Sequence, residues 1–330
     1  MSATLPVSIL GTHSVLPGRR VTTAEVLAAL GKPGDPARWE KRTGIRARHW
    51  AEPGAPLTPA AAEALRGALA DAGLDADALR RIILVYSGVG DVMFPATASA
   101  IAAELGLAGS CDAFDLKNAC MGFLTALDVA ARSVATGLGP VGVVVAEYAS
   151  RAIRPADHRP FLIFGDAVAA AVIGPARAPG EGILASFLAN DGSHPRDVFC
   201  EESSRTGKQE FIQMVGSAAD IAEIAMSALR RGLAGLLARA RARLDEIEWV
   251  VVHQPNGVMY DAILEDLEID PARTVRVVDE IGSVAAAAIP FSLDRLRRTR
   301  PLRAGDRILM LGVGGGISYG ATLYRIGGAA

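Results

Sequence analysis

One pattern of strands and helices occurs twice along this chain of 330 residues. The matching strand-like runs are 82–86 with 249–253, the run that starts at Phe114 with 275–278, and 141–146 with 307–311. They share one offset of roughly 165 residues, which indicates a duplicated half rich in strand–helix–strand units. Strands that alternate with helices predict a largely parallel sheet with helices on its faces. We therefore expect two similar halves with a functional site at their junction, where strand ends converge.

Cys120 lies where a strand-like run passes into a helical pattern. From Cys120 onward, apolar residues return to one face with the helix period until Gly137 and Gly139 end the pattern. The free N–H groups and the positive dipole at the start of a helix stabilise a thiolate, the form of cysteine that attacks carbonyl carbons. The position therefore favours Cys120 as a nucleophile, and the alternative is a cysteine that only fills the core.

His253 ends the buried run of the second half, and a turn signal follows it. A histidine at the end of a parallel strand is placed to act as an acid, a base or an oxyanion donor, and the alternative is a histidine bonded within a loop. The duplication places His253 and Cys120 on strand ends of the two halves, so that they can meet at one junction.

A glycine-rich run at 312–320 follows a buried strand of the second half. Glycines allow the backbone to approach a substrate closely and to direct N–H groups toward it. The residues that follow, 317–326, are rich in strand formers and are not helical in pattern, which disfavours the nucleotide loop of a dehydrogenase. An oxyanion hole or a tight turn fits the run better.

Charge and cysteine content narrow the class of protein. A net charge of −2 argues against a general affinity for nucleic acid or anionic membranes. No apolar run reaches the roughly 18 residues of a membrane span, and no secretory signal is recognisable. Cys111, Cys120 and Cys200 form neither a disulfide framework nor a metal-ligand spacing, so we expect a cytoplasmic protein without a metal site, with Cys111 and Cys200 structural.

A basic and aromatic segment runs from Trp39 to Trp50. Such a segment is commonly a solvated loop whose arginines extend along the surface. It can also form a clamp for an anionic, flat-ringed group such as a nucleotide. The sequence pattern leaves both interpretations open.

Five motifs together resemble the β-ketoacyl-acyl-carrier-protein synthase III family of the thiolase superfamily. They are Arg42-Thr-Gly-Ile-Arg46, the run from Asp115 to Phe123, Phe164-Gly-Asp166, His253-Gln-Pro-Asn256 and Gly314-Gly-Gly316. The resemblance covers 7–326 and implies an α/β, thiolase-like fold with mixed sheets and buried helices in αβαβα layers. It places Cys120 in an N-terminal half, 1–174, and His253 with the glycine-rich loop in a C-terminal half, 175–330.

The resemblance also implies a role for each matched residue at the reacting centre. Cys120 would take an acyl group from a thioester of coenzyme A or of an acyl carrier protein, and His253 would assist the second half-reaction. The backbone N–H groups of Cys120 and Gly315 would form the oxyanion hole. Glu147 and Asp166 could touch this centre, although a cap or turn role is the expectation for each.

Further implied roles concern binding and assembly. Arg42 would contact the nucleotide end of coenzyme A, with Trp39 near its base, although Trp39 is one residue closer to Arg42 than in the family's common pattern. Phe94 would reach across a homodimer interface into the partner's acyl pocket. No cofactor is implied beyond the acyl-coenzyme A or acyl-carrier substrate.

One departure from the family pattern concerns the reaction itself. Gly282-Ser283 stands where relatives carry Gly-Asn, and that asparagine helps to hold the enolate oxygen after malonyl decarboxylation. Asn256 belongs to the histidine motif and does not replace it. The loss of one well-placed oxyanion donor costs a factor of about 10²–10³ in rate. Ser283 is therefore expected to weaken decarboxylative condensation more than acyl transfer to Cys120.

We therefore predict a synthase III-like acyltransferase of specialised (secondary) metabolism that passes its acyl group on without decarboxylation. The alternative within the same class is decarboxylative condensation with a malonyl thioester. A lesser alternative is a non-catalytic partner subunit of a heteromeric condensing complex, and the presence of both Cys120 and His253 argues against it.

Overall fold

The computed structural model describes residues 4–327 except 33 and 89. The strands are β1 (Val7–Val15), β2 (Arg19–Thr22), β3 (Ala47–Trp50), β4 (Arg81–Val85), β5 (Asp112–Leu116), β6 (Val141–Tyr148), β7 (Asp166–Pro175), β8 (Gly182–Asn190), β9 (Val198–Phe199), β10 (Gln213–Met214), β11 (Trp249–Val252), β12 (Arg307–Gly314) and β13 (Ser318–Arg325). The helices are α1 (Thr23–Ala29), α2 (Pro36–Thr43), α3 (Thr58–Ala72), α4 (Ala98–Glu104), α5 (Gly122–Ala135), α6 (His158–Ile163), α7 (Ser203–Thr206), α8 (Ala218–Ala240), α9 (Gly257–Asp266), α10 (Val278–Ile281) and α11 (Ala288–Thr299). Within the part described, no helix combines the length and the apolar character that a membrane span requires.

Two mixed sheets form the frame of the molecule. The first has the strand order β1-β7-β6-β4-β5, in which β4 is parallel to both β6 and β5. The second has the order β11-β12-β13-β8, in which only β11 and β12 are parallel. The sheets draw their strands from 7–175 and from 182–325 respectively. The predicted boundary between 174 and 175 falls at the last residue of β7 and stays a prediction.

The helices and sheets stack in five layers. Helices α5 and α11 pack between the sheets, because each contacts strands of both and most of its residues are buried. Helix α3 covers the outer face of the first sheet, and α8 covers the outer face of the second. This αβαβα order is the predicted one.

The predicted strand at 275–278 is wrong. In the described structure residues 274–277 pair with no strand, and α10 begins at Val278. The buried side chain of Gln254 takes their hydrogen bonds: its Oε1 accepts from the N–H groups of Val277 and Val278, each at 3.0 Å, and its Nε2 donates to the Val275 oxygen at 2.9 Å. A single amide thus satisfies the backbone groups that a sheet ladder would have paired.

The duplication is visible in the backbone in front of the two buried helices. Ala119 has φ 41° in the turn before α5, and Ala285 has φ 44° in the turn before α11. The two alanines are separated by the same offset as the repeated strands, and each lies in a single 3₁₀ turn. Both turns hold a non-glycine residue in the left-handed region, which is unusual and marks positions that the surrounding packing imposes.

Candidate active site

Cys120 lies in a tight turn between β5 and α5. The turn is a 3₁₀ helix, Ala119–Met121, and the α-helix starts at Gly122, two residues later than the sequence pattern predicts. The glycine-rich end of β12 packs directly on this turn. A Cβ atom added to Gly314 would lie 2.9 Å from the Cys120 nitrogen, so that only glycine allows this close approach.

The structure does not favour the thiolate form of Cys120 that the sequence predicts. Burial raises the pKa of the Cys120 thiol to about 12, and the nearby negative charge of Glu147 raises it further. The helix dipole would lower the pKa of Cys120, but desolvation and the negative charge of Glu147 raise it by more. Both effects favour the neutral thiol of Cys120 in the free site.

A polar chain not foreseen from the sequence ties the Cys120 turn to the second half. The Oγ of Ser318 donates to Asn118 Oδ1 at 2.8 Å, and Asn118 Nδ2 donates to Thr125 Oγ1 at 2.8 Å. Asn190 completes the chain through a 3.2 Å bond from its Nδ2 to Ser318 Oγ. Asn118 precedes Cys120 by two residues, which is the only sequence signal for its role. The chain fixes the turn between two elements that are about 200 residues apart in sequence.

His253 directly follows β11 and extends its ladder, because its N–H donates to the Leu311 oxygen of β12 at 2.9 Å. Its ring is buried, with 3% of the residue exposed, and burial lowers its pKa to about 4. Within the described residues its Nδ1 has no hydrogen-bond partner. Three residues beyond Leu311, Gly314 contacts the Cys120 turn. Strand β12 thus brings the histidine and the cysteine to one end of the second sheet.

Ser283 is buried beside the same turn. Its N–H donates to the Ile163 oxygen at 2.8 Å, and its own oxygen accepts from Gly165 at 2.9 Å. The 3₁₀ turn that follows packs on the start of α5, where a Cβ atom on Gly122 would lie 3.6 Å from Ala286 Cβ. Its hydroxyl makes no hydrogen bond to another described residue, since every bond of Ser283 is made by its backbone.

Asn256 caps α9 and serves the backbone. Its Oδ1 accepts from the Met259 N–H at 2.9 Å, as an N-cap residue does. An oxygen engaged in this cap is not directed at a substrate. The geometry therefore supports the prediction that Asn256 is no substitute for the missing asparagine at 283.

Two buried carboxylates lie near the site and bond to backbone groups. Glu147 accepts from the Ser87 N–H at 3.1 Å and from Ser87 Oγ at 2.7 Å, and burial raises its pKa to about 7. Asp166 accepts from the N–H groups of Ser150 and Ala51, each at 2.8 Å, and burial raises its pKa as well. Both hold turns in place, and Glu147 also acts on Cys120 through its charge.

Trp39 and Arg42 lie together on α2. The Arg42 guanidinium carbon is 4.8 Å from the centre of the Trp39 ring, a cation–π distance. The helix ends at Gly44, where an added Cβ would lie 2.5 Å from Gly257 Cα at the start of α9. Since Gly257 follows His253 by four residues, α2 is in contact with the segment that carries the histidine.

Phe94 lies in an exposed loop between β4 and α4. The exposed fraction is 80% for Phe94, 77% for its neighbour Met93 and 49% for Val92. The predicted reach of Phe94 across a dimer stays a prediction.

A cavity of about 150 Å³ extends from Glu147 to the segment 200–210, which covers this side of the molecule. Tyr86, Tyr148 and Arg151 also line it. Among the described residues no group of three histidine, cysteine, aspartate or glutamate side chains is arranged to hold a metal ion.

Comparisons with known proteins agree with this geometry. The family model described as 3-oxoacyl-[acyl-carrier-protein (ACP)] synthase III matches residues 114–192, and the model of its C-terminal part matches residues 237–326. Together the two models of this family cover just over half of the chain.

Solved structures match over nearly the full length. The 3-oxoacyl-(acyl carrier protein) synthase III of Pseudomonas aeruginosa PAO1 superposes with a TM-score of 0.89 and 29% identity, covering 98% of this chain and 99% of that chain. The priming β-ketosynthase of the R1128 polyketide biosynthetic pathway gives a TM-score of 0.83 and 29% identity, covering 100% and 99%. OleA of Xanthomonas campestris, at 22% identity, TM-score 0.86 and coverage of 98% and 100%, shares the fold. These matches confirm the predicted thiolase-like fold.

Proposed function

Because the chain belongs to the 3-oxoacyl-[acyl-carrier-protein] synthase III family of thiolase-fold condensing enzymes and acyltransferases, we propose that Cys120 carries the acyl group. The acyl group comes from a thioester of coenzyme A or of an acyl carrier protein and passes to a second substrate. The observation that carries this proposal is the meeting of the Cys120 turn, His253 and the glycine-rich loop at one end of β12.

The first half-reaction follows from two neutral groups. The Cys120 thiol attacks the thioester carbon while the neutral His253 ring accepts its proton. The N–H groups of Cys120 and Gly315 stabilise the oxyanion of the tetrahedral intermediate. The carbon–sulfur bond to the donor breaks, and the departing thiolate takes the proton from His253. The acyl-Cys120 thioester and the free thiol of the donor are the products.

In the second half-reaction His253 removes a proton from the acceptor, which attacks the acyl-Cys120 carbonyl. The carbon–sulfur bond breaks, and the departing Cys120 thiolate takes the proton from His253, so that both groups return to their neutral forms. Ser283 supports a reaction without decarboxylation, because a serine hydroxyl is short and donates one hydrogen bond. An ester, an amide or a carbon–carbon bond results. Since Ser283 departs from the family pattern, we place the protein in specialised metabolism.

The second candidate is decarboxylative condensation with a malonyl thioester, in which Ser283 and His253 together stabilise the enolate. The membership of the family favours it. A non-catalytic partner subunit is the lesser alternative, and the presence of both Cys120 and His253 at the ends of elements that meet at β12 argues against it.

Binding and assembly complete the proposal. Arg42 contacts the nucleotide end of coenzyme A, and Trp39 lies near its base. The protein is a homodimer, and Phe94 of each protomer reaches toward the partner's acyl pocket, which the 80% exposure of Phe94 supports. The reaction as written requires no cofactor apart from the thioester substrates.

Intact-protein mass spectrometry tests the proposal. The purified protein and Cys120→Ser are incubated with acyl-coenzyme A and acyl-carrier thioesters of several chain lengths. We expect an acyl-sized mass gain in the natural protein and none in Cys120→Ser. No gain with any donor would contradict acyl loading and favour the non-catalytic alternative. Rapid release of CO₂ from a malonyl thioester by the acyl-loaded protein would favour decarboxylative condensation.

A further inference from the structure

Helix α2 presents a cationic face that has no counter-ions. Arg38, Lys41 and Arg42 are exposed, and Arg38 precedes the other two by three and four residues, so that its side chain shares one face of the helix with both. Within the described residues none of the three makes an ion pair, whereas arginines elsewhere on the surface typically bind a carboxylate or a carbonyl oxygen. Like charges at this spacing destabilise a helix, so the arrangement has a cost that an anionic ligand would remove.

Helix α9 beside it has the opposite charge. Its exposed positions and the turn after it carry Asp261, Glu265, Asp266 and Glu268, and no basic residue lies between 257 and 270. Asp261 and Asp266 are paired with arginines, whereas in the described structure Glu265 and Glu268 make no ion pair. The contact between Gly44 and Gly257 joins the two helices, so a cationic and an anionic surface adjoin within one rim.

We propose that this rim, made of the cationic face of α2 and the acidic face of α9, admits coenzyme A thioesters and rejects acyl carrier proteins. The inference rests on the proposed function and specifies its substrates: neither the donor nor the acceptor arrives on a carrier protein.

Coenzyme A and an acyl carrier protein differ in the area over which their negative charges are spread. Coenzyme A concentrates its charge in three phosphates at the end of a narrow pantetheine arm, which a single helix face with three cations matches. An acyl carrier protein bears the same arm on an acidic domain, and that domain is wide enough to extend over α9 as well as α2. Charges within about 8 Å interact strongly at physiological salt, so the carboxylates of α9 repel such a domain.

The test compares donors that carry the same acyl group. Rates of Cys120 acylation are measured with an acyl-coenzyme A, with the same acyl group on a holo-acyl carrier protein, and with its phosphate-free pantetheine thioester. We expect kcat/KM for the coenzyme A thioester to exceed that for the carrier by at least about tenfold at low salt, with the difference narrowing as salt screens the charges. Equal or faster acylation from the carrier protein would overturn the inference.

Two double variants separate the two helices. Arg38→Ala/Lys41→Ala leaves Arg42 and Trp39 in place, and we expect a higher KM for the coenzyme A thioester with an unchanged KM for the pantetheine thioester. Glu265→Lys/Glu268→Lys reverses the acidic face, and we expect faster acylation from the carrier protein. Asp75→Lys/Asp77→Lys, on an exposed turn of the other half, is the matched control and leaves the carrier rate unchanged.

A binding measurement distinguishes failure of this inference from failure of the proposed function. Fluorescently labelled holo-acyl carrier protein is titrated with the natural protein and with Glu265→Lys/Glu268→Lys. We expect saturable binding only in the variant. If no donor acylates Cys120, the proposed function fails, and this titration alone decides the inference. Saturable binding of the carrier protein to the natural protein contradicts it.

Discussion

At the level of single residues, burial favours the neutral forms of Cys120 and His253. The pKa of Cys120 is raised to about 12 and that of His253 is lowered to about 4, and desolvation is the largest cause of each shift. Both shifts favour a neutral thiol and a neutral imidazole over a thiolate–imidazolium pair in the free site. In the proposed reaction the thiol therefore gives up its proton as the sulfur attacks the substrate carbonyl.

Ser283 offers the sharpest test of the proposed chemistry. Replacement of Ser283 by asparagine supplies the longer amide donor that the family pattern has at this position, and we expect malonyl decarboxylation to rise by a factor of about 10–100. Release of CO₂ from a malonyl thioester measures the effect. Ser283→Ala serves as the control and should show no gain. If Ser283→Asn is acylated normally and decarboxylates no faster, residue 283 does not decide between the two reactions.

His253 makes the free energy of unfolding sensitive to acid. Its pKa is about 4 in the folded protein and 6.5 in an exposed histidine, so the unfolded chain binds the proton more tightly between these values. This contribution to the free energy of unfolding is complete above pH 6.5 and is lost as the pH falls toward 4, by up to about 3 kcal/mol.

We expect His253→Asn to lose less stability than the natural protein over this pH range. Urea denaturation of both proteins at several pH values measures the difference. Curves that stay parallel from pH 7 to pH 4 would show that His253 does not titrate with a lowered pKa.

Among the secondary-structure elements, the second sheet has one strand fewer than the first, and Gln254 accounts for the difference. Its amide binds the backbone of the segment that the sequence pattern predicts as a strand, and it lies beside His253. The segment is therefore held without strand pairing, and it leads directly into the short helix before Ser283.

Replacement of Gln254 by methionine removes these bonds and leaves the buried N–H groups of Val277 and Val278 without partners, while the Val275 oxygen keeps its bond from the Tyr260 hydroxyl. We expect a loss of about 3 kcal/mol in the free energy of unfolding, measured by urea denaturation. Gln209→Met is the control, because Gln209 makes one bond, at the surface, to the Arg151 oxygen. A loss no greater than that of the control would mean that water replaces the amide of Gln254.

At the scale of the whole molecule, the two sheets enclose α5 and α11, and their strand ends supply the site from both halves. The apolar loop with Met93 and Phe94 is the largest exposed hydrophobic feature among the described residues. Exposed apolar loops of this kind mark interaction surfaces, which supports the proposed homodimer.

The double variant Met93→Ser/Phe94→Ser should shift the protein toward monomers, because it removes the apolar surface that the dimer would bury. Sedimentation velocity measures the change over a range of concentrations. Val215→Ser, which alters another exposed apolar residue, is expected to leave the dimer intact. An unchanged dimer in the double variant would place the interface elsewhere.

The repeated strand–helix plan, the family and the positions of Cys120, His253 and Ser283 can all be read from the order of the amino acids. These features depend on local patterns: apolar runs of strand length, a helix period, and turns rich in glycine. The residues on either side of each feature carry the whole signal, so one sequence suffices to find them.

Three further features arise only on folding: the unpaired segment at 275–277, the shift of Cys120 toward its neutral form, and the polar chain from Asn118 to Ser318. Each depends on groups that are distant in sequence and adjacent in space. The amide of Gln254 takes the place of strand pairing at 275–277. Burial has a larger effect on the pKa of Cys120 than the helix dipole, and Ser318 of β13 binds the turn that carries Cys120. Desolvation and long-range hydrogen bonds act through the folded arrangement, and no local pattern of residues records them.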